Sequence, residues 1–466
     1  MSFIKRHLAR ILSILIIPVM FMGAVGCNEV QPSAPKKAII MVTPLFGGGL
    51  LDSETGDNVW DPFAPNSDLG GVSDIFNYIF ANLTEFAGIL GPLLNNSPET
   101  SVFAPLAMTQ YGESVNPNII PANYIDPEVN HIYYGALSMF KDLIIEVKEL
   151  YGSEYDVKMF NYDWRLDNGI NSQNLEVFID ENNYSEVVLI SHSMGGLVVS
   201  GYLSKNDVNY KKVKAYIPMS APFLGSFEAI KYLNDVDRFV SNLFNSISGL
   251  SYNNGVLTMF SSIHKNLNIT IPYLQEFIRN CPSIIQLLPS YDMLLTAQYN
   301  AVENDVGFTI DSKAIKNSED LYNFYSSQSW SFLRDENGAI LKDDNGQDML
   351  KPFVENLKQF HESMFVINSN GERVHATSLV NTYYLVGQGY TTTTIYEQYQ
   401  GTDIFGTTLL GDGTVPIYSQ TSGLSTDLLS STGKLYLFKG THGETGTWSF
   451  VRDRIIPLLS AITGIA

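Results

Sequence analysis

The sequence is poor in cysteine and in positive charge. Two cysteines, Cys27 and Cys281, stand among 466 residues. Two thiols cannot build a disulfide framework or supply a cysteine-rich metal site. Lysine and arginine number 28 against 48 acidic residues, for a formal charge of -20. Nucleic acid is thereby excluded as a partner, because binding its phosphates takes a basic footprint. What the chain does hold is 45% hydrophobic and 12% aromatic residues, enough to bury a large core, so global disorder is excluded as well. The length exceeds one ordinary domain of about 100–200 residues; it fits an elaborated α/β domain or two domains.

Residues 1–26 differ in character from the rest. Lys5, Arg6 and Arg10 form a basic start, and the apolar stretch from Ile11 to Gly26 is broken only by Ser13 and Pro18. That stretch is short for a membrane-spanning helix, which needs roughly 20 apolar residues, and suits the h-region of a signal peptide. It ends in Ala24-Val25-Gly26-Cys27, which resembles the bacterial lipoprotein processing site, with Ala24 where that site usually has leucine. The resemblance implies removal of residues 1–26, diacylation of Cys27, and export to the bacterial cell envelope. The chain would be lipid-anchored there, on the outer face of the cytoplasmic membrane or in the outer membrane. Residues 27–37 then read as a short tether. Plain secretion, with Cys27 a bystander, is the alternative.

Folded sequence begins at Ala38 with the apolar run Ala38-Ile39-Ile40-Met41-Val42-Thr43, suited to a buried strand. Strands are predicted at 156–161, 186–190, 213–219, near 381–387 and at 434–439. Helical spacing appears at 133–150, around 172–180, from Gly195 to about Leu203, and from Gly446 to Ile462. Alternation at this pace predicts βαβ units on a parallel sheet. The pattern loosens over 226–375, where turn-rich pieces such as Arg334-Asp335-Glu336-Asn337-Gly338 mix with helical stretches. The expected organisation is a core of 38–226 and 376–466 with a cap or lid insertion, 227–375, over the carboxyl ends of the strands.

Ser191-His192-Ser193-Met194-Gly195-Gly196 follows a predicted strand and opens a predicted helix. A nucleophile elbow holds its serine on a strained turn, where the residues two before and two after must be small. Ser193 meets this with Ser191 and Gly195; Ser191 does not, because Leu189 lies two before it. His192 is expected to pack beneath the elbow. A serine hydroxyl needs a base to take its proton, and the base needs an orienting carboxylate. His442 follows a predicted strand through a short loop, as a base reaching Ser193 should, whereas His375 precedes a strand. For the acid, Asp412 lies between two glycines in Gly411-Asp412-Gly413-Thr414-Val415-Pro416, with Asp403 as runner-up. Two N–H donors must hold the oxyanion: Met194, next to the nucleophile, and Phe46, in the loop Pro44-Leu45-Phe46-Gly47-Gly48. An ordinary strand-ending turn is the competing reading of that loop.

In this order the motifs resemble the lecithin:cholesterol acyltransferase family, which includes lysosomal-type phospholipases and phospholipid:diacylglycerol acyltransferases. PLFGG at 44–48 is similar to the family's PGFGG loop, and Trp60-Asp61-Pro62 to a tryptophan shortly after it. Tyr162-Asp163-Trp164-Arg165-Leu166 resembles its YDWR segment. Ala221-Pro222-Phe223-Leu224-Gly225-Ser226 resembles its APFxGS segment, and 411–416 its acid loop. The chain departs from the pattern in two places, with Leu45 and Ser191 each standing where the family has glycine. The resemblance implies an α/β-hydrolase fold with a mostly parallel central sheet, a triad of Ser193, Asp412 and His442, and an oxyanion hole of Phe46 and Met194. It implies acyl transfer from a lipid ester to water or an acceptor alcohol, with no metal or cofactor. Asp163 and Arg165 are expected to pair with each other or brace the core. Apolar cap residues such as Tyr252, Phe260, Ile269 and Tyr273 fit a cap core or an acyl chain. A lipid-anchored binding protein without turnover, and a peptidase or amidase on the same fold, are the rival classes.

Overall fold

A computed structural model describes residues 36–56, 58–60, 104–122, 141–234, 272–300, 307–443 and 450–465. Cys27, the signal segment 1–26, His131, His264 and the cap residues Tyr252, Phe260 and Ile269 lie outside the described residues. Six strands form one sheet: β1 (Lys36–Val42), β2 (Asp156–Phe160), β3 (Tyr184–His192), β4 (Val213–Met219), β5 (Tyr384–Gln388) and β6 (Leu435–Lys439). Their order is β6-β5-β4-β3-β1-β2, and every neighbouring pair runs parallel. This is the mixed α/β architecture of an α/β-hydrolase.

The apolar runs of the strands follow from burial on both faces. Four helices do much of the covering: α1 (Lys141–Tyr151), α2 (Asn168–Glu181), α3 (Gly195–Lys205) and α4 (Ile456–Thr463). Along β1, Ala38, Ile40 and Val42 join a cluster with Leu175 and Ile179 of α2 and Leu197 and Val198 of α3. The alternate residues Ile39 and Met41 pack instead with Leu143 and Val147 of α1 and Leu458 and Leu459 of α4. The period-two alternation of a strand thus sorts one continuous apolar run into two cores.

Chain order and sheet order diverge at β1. The connection after β1 leads to β2 at one edge, whereas β3 lies on the other side of β1 and the chain then steps outward through β4, β5 and β6. Neighbouring strands whose onward connections part in opposite directions leave a crevice at their carboxyl ends. Here those strands are β1 and β3, with Val42 paired to Ser191 in register.

Three features differ from the sequence expectation. β1 starts at Lys36 rather than Ala38, because parallel pairing with β3 continues back to Tyr184, so the last two residues read as tether are strand. The carboxyl-terminal helix is composite: Val451–Ile455 is wound as a π-helix and leads into α4, while 444–449 lie outside the described residues. The hairpin Thr392–Tyr399 and Thr402–Thr408, in a stretch read as core, pairs with strand Gly307–Ile310 of the insertion to make a second sheet. Its β-branched and aromatic residues Thr392, Thr393, Thr394 and Tyr396 are all buried, which is what draws it into that sheet.

The insertion shares a core with the main sheet. Ile284, Leu288, Phe308 and Tyr325 belong to the same buried cluster as Leu197 and Phe223. Arg165 and Asp163 both pair with each other and brace the fold. The fully buried guanidinium donates from Nε (2.9 Å) and Nη2 (2.6 Å) to the Asp163 carboxylate, and from Nη1 to the Leu106 carbonyl (2.8 Å). A bidentate pair of this kind fixes direction as well as distance, and it locks segment 104–122 to the loop after β2.

Candidate active site

The site grows from strand ends. β3 ends at His192, and Ser193 turns sharply with φ of 51° before α3 begins at Gly195. A positive φ on a residue with a Cβ costs roughly 1–2 kcal/mol, so packing must hold the turn. A Cβ on Gly195 would stand 2.6 Å from the Thr43 carbonyl oxygen; only glycine lets the helix start that close to the end of β1. Ser191, where the family has glycine, turns its hydroxyl to the Tyr216 hydroxyl on β4 at 2.7 Å. The extra polar group is satisfied inside the sheet.

Two further non-glycine residues with positive φ lie at neighbouring strand ends: Phe46 (φ 61°) after β1 and Ser220 (φ 50°) after β4. Strain of this kind gathers where a site needs unusual backbone directions. At the loop after β1 the positive φ falls on Phe46 and not on Leu45, so glycine's absence at position 45 carries no penalty of that kind. The Phe46 ring stands edge-on to Trp164 at 4.7 Å and 5.8 Å from the Trp60 ring, and the Trp60 indole N–H donates to the Phe46 carbonyl at 3.2 Å. Met194, at the N-cap of α3, has helical φ and ψ, and the first bonds of the turn come from the N–H groups of Gly196 and Leu197. The Met194 N–H therefore belongs to the first turn of the helix, where backbone donors lack intrahelical acceptors.

Asp412 is 1% exposed. Its Oδ1 accepts from the backbone N–H of Thr414 (3.0 Å) and Val415 (2.7 Å), while Oδ2 faces His442 Nδ1 at 2.8 Å. A Cβ on Gly387 of β5 would come within 2.7 Å of the Asp412 Cβ, so glycine at that strand position admits the acid loop. Gln420 clasps the same place: Oε1 accepts from Gly387 N–H, and Nε2 donates to the carbonyls of Gly387 and Val415. Asp403 is engaged elsewhere, accepting from Tyr396, Gln398 and Asn234 at the second sheet.

His442 joins the two ends. Its Nδ1–H donates to Asp412, which leaves Nε2 to accept from the Ser193 hydroxyl at 2.8 Å. Its own backbone N–H donates to the Asp412 carbonyl at 2.9 Å. The carboxylate selects the tautomer and the ring orientation, and the free lone pair meets the hydroxyl, an arrangement that is able to generate an alkoxide-like nucleophile. The structure thus brings Ser193, Asp412 and His442 together and sets Phe46 and Met194 at the two adjoining strand ends. His375 is buried away from Ser193, bonded through Nδ1 to Thr377 and set edge-on to Phe223 and Phe365.

Sequence reasoning placed His192 beneath the elbow but missed its contact with His442, and it missed Trp60's bond to the loop after β1, Ser220 and Gln420. The His192 ring does pack by the elbow, but its Nε2 also reaches the His442 carbonyl at 2.9 Å. Burial pulls its pKa down to about 3, with the nearby His442 as second cause. No local pattern marks it, because the partner lies 250 residues away.

The family model for lecithin:cholesterol acyltransferase matches residues 124–404. That span contains the elbow and stops short of Asp412 and His442. Lecithin-cholesterol acyltransferase-like 4 of Arabidopsis thaliana is 25% identical over 213 residues, 42% of this chain and 33% of the relative. The match thus spans about a third of that relative's length. A chain of the crystal structure of the Tle4-Tli4 complex aligns over 93% of this chain and 99% of its own, with 12% identity and a TM-score of 0.43.

Proposed function

Because the chain belongs to the lecithin:cholesterol acyltransferase family, we propose that it is a serine-dependent lipid acyl hydrolase or O-acyltransferase working through an acyl-Ser193 intermediate. The observation that carries this reading is the pair of 2.8 Å contacts joining Ser193 Oγ, His442 and Asp412. His442 Nε2 takes the hydroxyl proton as Oγ attacks the ester carbonyl, and Asp412 steadies the imidazolium. The N–H groups of Phe46 and Met194 hold the oxyanion. His442 returns the proton to the departing alcohol. Water or an acceptor alcohol, deprotonated by the same imidazole, then releases the acyl group and restores Ser193.

The test is product analysis by mass spectrometry of a labelled phospholipid, with and without an added alcohol. Ser193→Ala is expected to lower product formation by at least about 1,000-fold. Undiminished Ser193→Ala activity sinks the proposal, and an acyl ester of the added alcohol identifies transfer over hydrolysis. Lipid attachment at Cys27 belongs to the same proposal and is supported by the sequence around it. Incorporation of radiolabelled fatty acid during expression in a bacterial host should disappear in Cys27→Ala; labelling that persists refutes attachment there.

A further inference from the structure

We infer that His192 is a positioning residue for the general base, acting through the main chain of His442. This rests on the reading of Ser193, Asp412 and His442 as a triad. His192 is the last residue of β3, paired in register with Met219 of β4, and the Ser193 N–H donates to the Met219 carbonyl at 3.0 Å. Its place is therefore fixed by the same strand end that fixes the nucleophile. The acceptor of its Nε2 contact is a carbonyl oxygen, so Nε2 carries the proton and donates to His442. The two rings also touch, with centroids 5.0 Å apart and planes 40° from parallel.

At least four contacts thus hold the base residue. Its N–H donates to the Asp412 carbonyl, its C=O accepts from His192, its Nδ1–H donates to Asp412 Oδ2, and its Nε2 faces Ser193. Three of these bonds refer the imidazole to the acid loop or to the reacting hydroxyl. Of these four, the His192 bond is the one that refers the backbone to β3, and so it sets the separation of base and nucleophile independently of the acid. A shift of about 1 Å in a reacting group is enough to cost about 100-fold in rate. The His192 ring lies against His442, Asp412 is a further charged neighbour, and burial keeps the ring uncharged. A neutral neighbour is what the site requires when His442 becomes an imidazolium, because a second cation at this distance would oppose that charge.

The experiment compares His192→Gln with His192→Met, side chains of similar length of which only the first carries an N–H donor. The readouts are kcat and KM on a soluble ester, and the rate of fluorophosphonate labelling of Ser193, each per folded molecule by near-ultraviolet circular dichroism. The Met variant is expected to lose about 10- to 100-fold in kcat and in labelling rate, with KM within about twofold. The Gln variant is expected to recover at least about fivefold of that loss. Equal rates in the two variants, or a Met variant with wild-type kcat, overturn the assignment to the N–H bond. If the Met variant does not fold, His192→Phe takes its place against Gln under the same criteria. Wild-type turnover that survives Ser193→Ala would instead overturn the triad reading, so the two failures are distinct.

Discussion

Ser193 and Asp412, the proposed nucleophile and acid, are presented by opposite means. The elbow after β3 is held by shape: a φ of 51° on Ser193, with a glycine at 195 that lets α3 start 2.6 Å, measured from its absent Cβ, from a carbonyl of the neighbouring loop. The acid loop after β5 is held by hydrogen bonds: two N–H donors on one carboxylate oxygen, His442 on the other, and Gln420 bridging loop and strand. The difference follows from the tasks. A nucleophile must stand clear of its own backbone so that a substrate carbonyl reaches it, and only a sharp turn does that. A carboxylate that steadies an imidazolium must stay ionised and fixed while buried, which takes donors rather than strain.

The comparison is broken most severely at the acid. Asp412→Asn keeps the size of the side chain but loses the charge and offers His442 Nδ1 a different partner, so the useful tautomer is no longer selected. The expected loss in kcat is about 1,000- to 10,000-fold. Asp403→Asn, at the second sheet, should change kcat by less than about threefold, because surface or scaffold substitutions remote from the reacting atoms act mainly on stability. Steady-state kinetics on both variants would reverse the assignment of the acid if their order were inverted.

Acid pH probes three buried imidazoles, of which His192 packs by the elbow. Burial lowers the pKa of His192 and His375 to about 3 and that of His361 to about 4, from 6.5. Above about pH 6.5 both folded and unfolded chains hold these rings neutral. Below it the unfolded chain binds protons that the folded one refuses, so stability falls as pH drops toward 3–4. The loss is up to about 1.4 kcal/mol per pH unit for each ring. Urea unfolding at about pH 7.5 and pH 5.5 should show the decline, the opposite slope to that of a protonated, paired histidine. His361→Gln, whose amide is able to donate to the Gln286 carbonyl as His361 Nε2 does at 3.1 Å, should remove that ring's share of the slope and leave the share of the other two. A midpoint unchanged on acidification would mean that these rings are not held neutral.

How far each region could be read from sequence follows the same division. Shape leaves a local pattern. Small residues two before and two after Ser193 mark the elbow, and the apolar run of β4 is bounded as observed, at Val213 and Met219. Hydrogen bonding across the fold leaves none. Nothing near Gln420 says that it will clasp Gly387, nothing near Trp60 names the Phe46 carbonyl, and His192 finds its acceptor only when β6 closes the sheet beside β5. Asp412 and His442 were legible through chain order and flanking glycines rather than through their contacts. The hairpin at 392–408 falls inside the stretch read as core, with no strand predicted there; which sheet it joins depends on Gly307–Ile310, about 90 residues earlier in the chain.

The smallest expected effect lies at Ser191, where the elbow departs from its family. Ser191→Gly restores the usual glycine but leaves the buried Tyr216 hydroxyl without its 2.7 Å partner. An unsatisfied hydroxyl and added chain entropy should together cost about 1–2 kcal/mol in unfolding free energy. kcat should stay within about twofold, because the turn that exposes Ser193 is set by sterics rather than by this hydroxyl. Tyr216→Phe in the same background should recover about 1 kcal/mol, since removing both partners of a buried pair is nearly neutral. A double-mutant cycle by urea unfolding reads that coupling directly. A coupling energy near zero would show that the serine at this position is accommodated by space alone, and a fall in kcat well beyond twofold would show that the elbow relies on hydrogen bonding as the acid loop does.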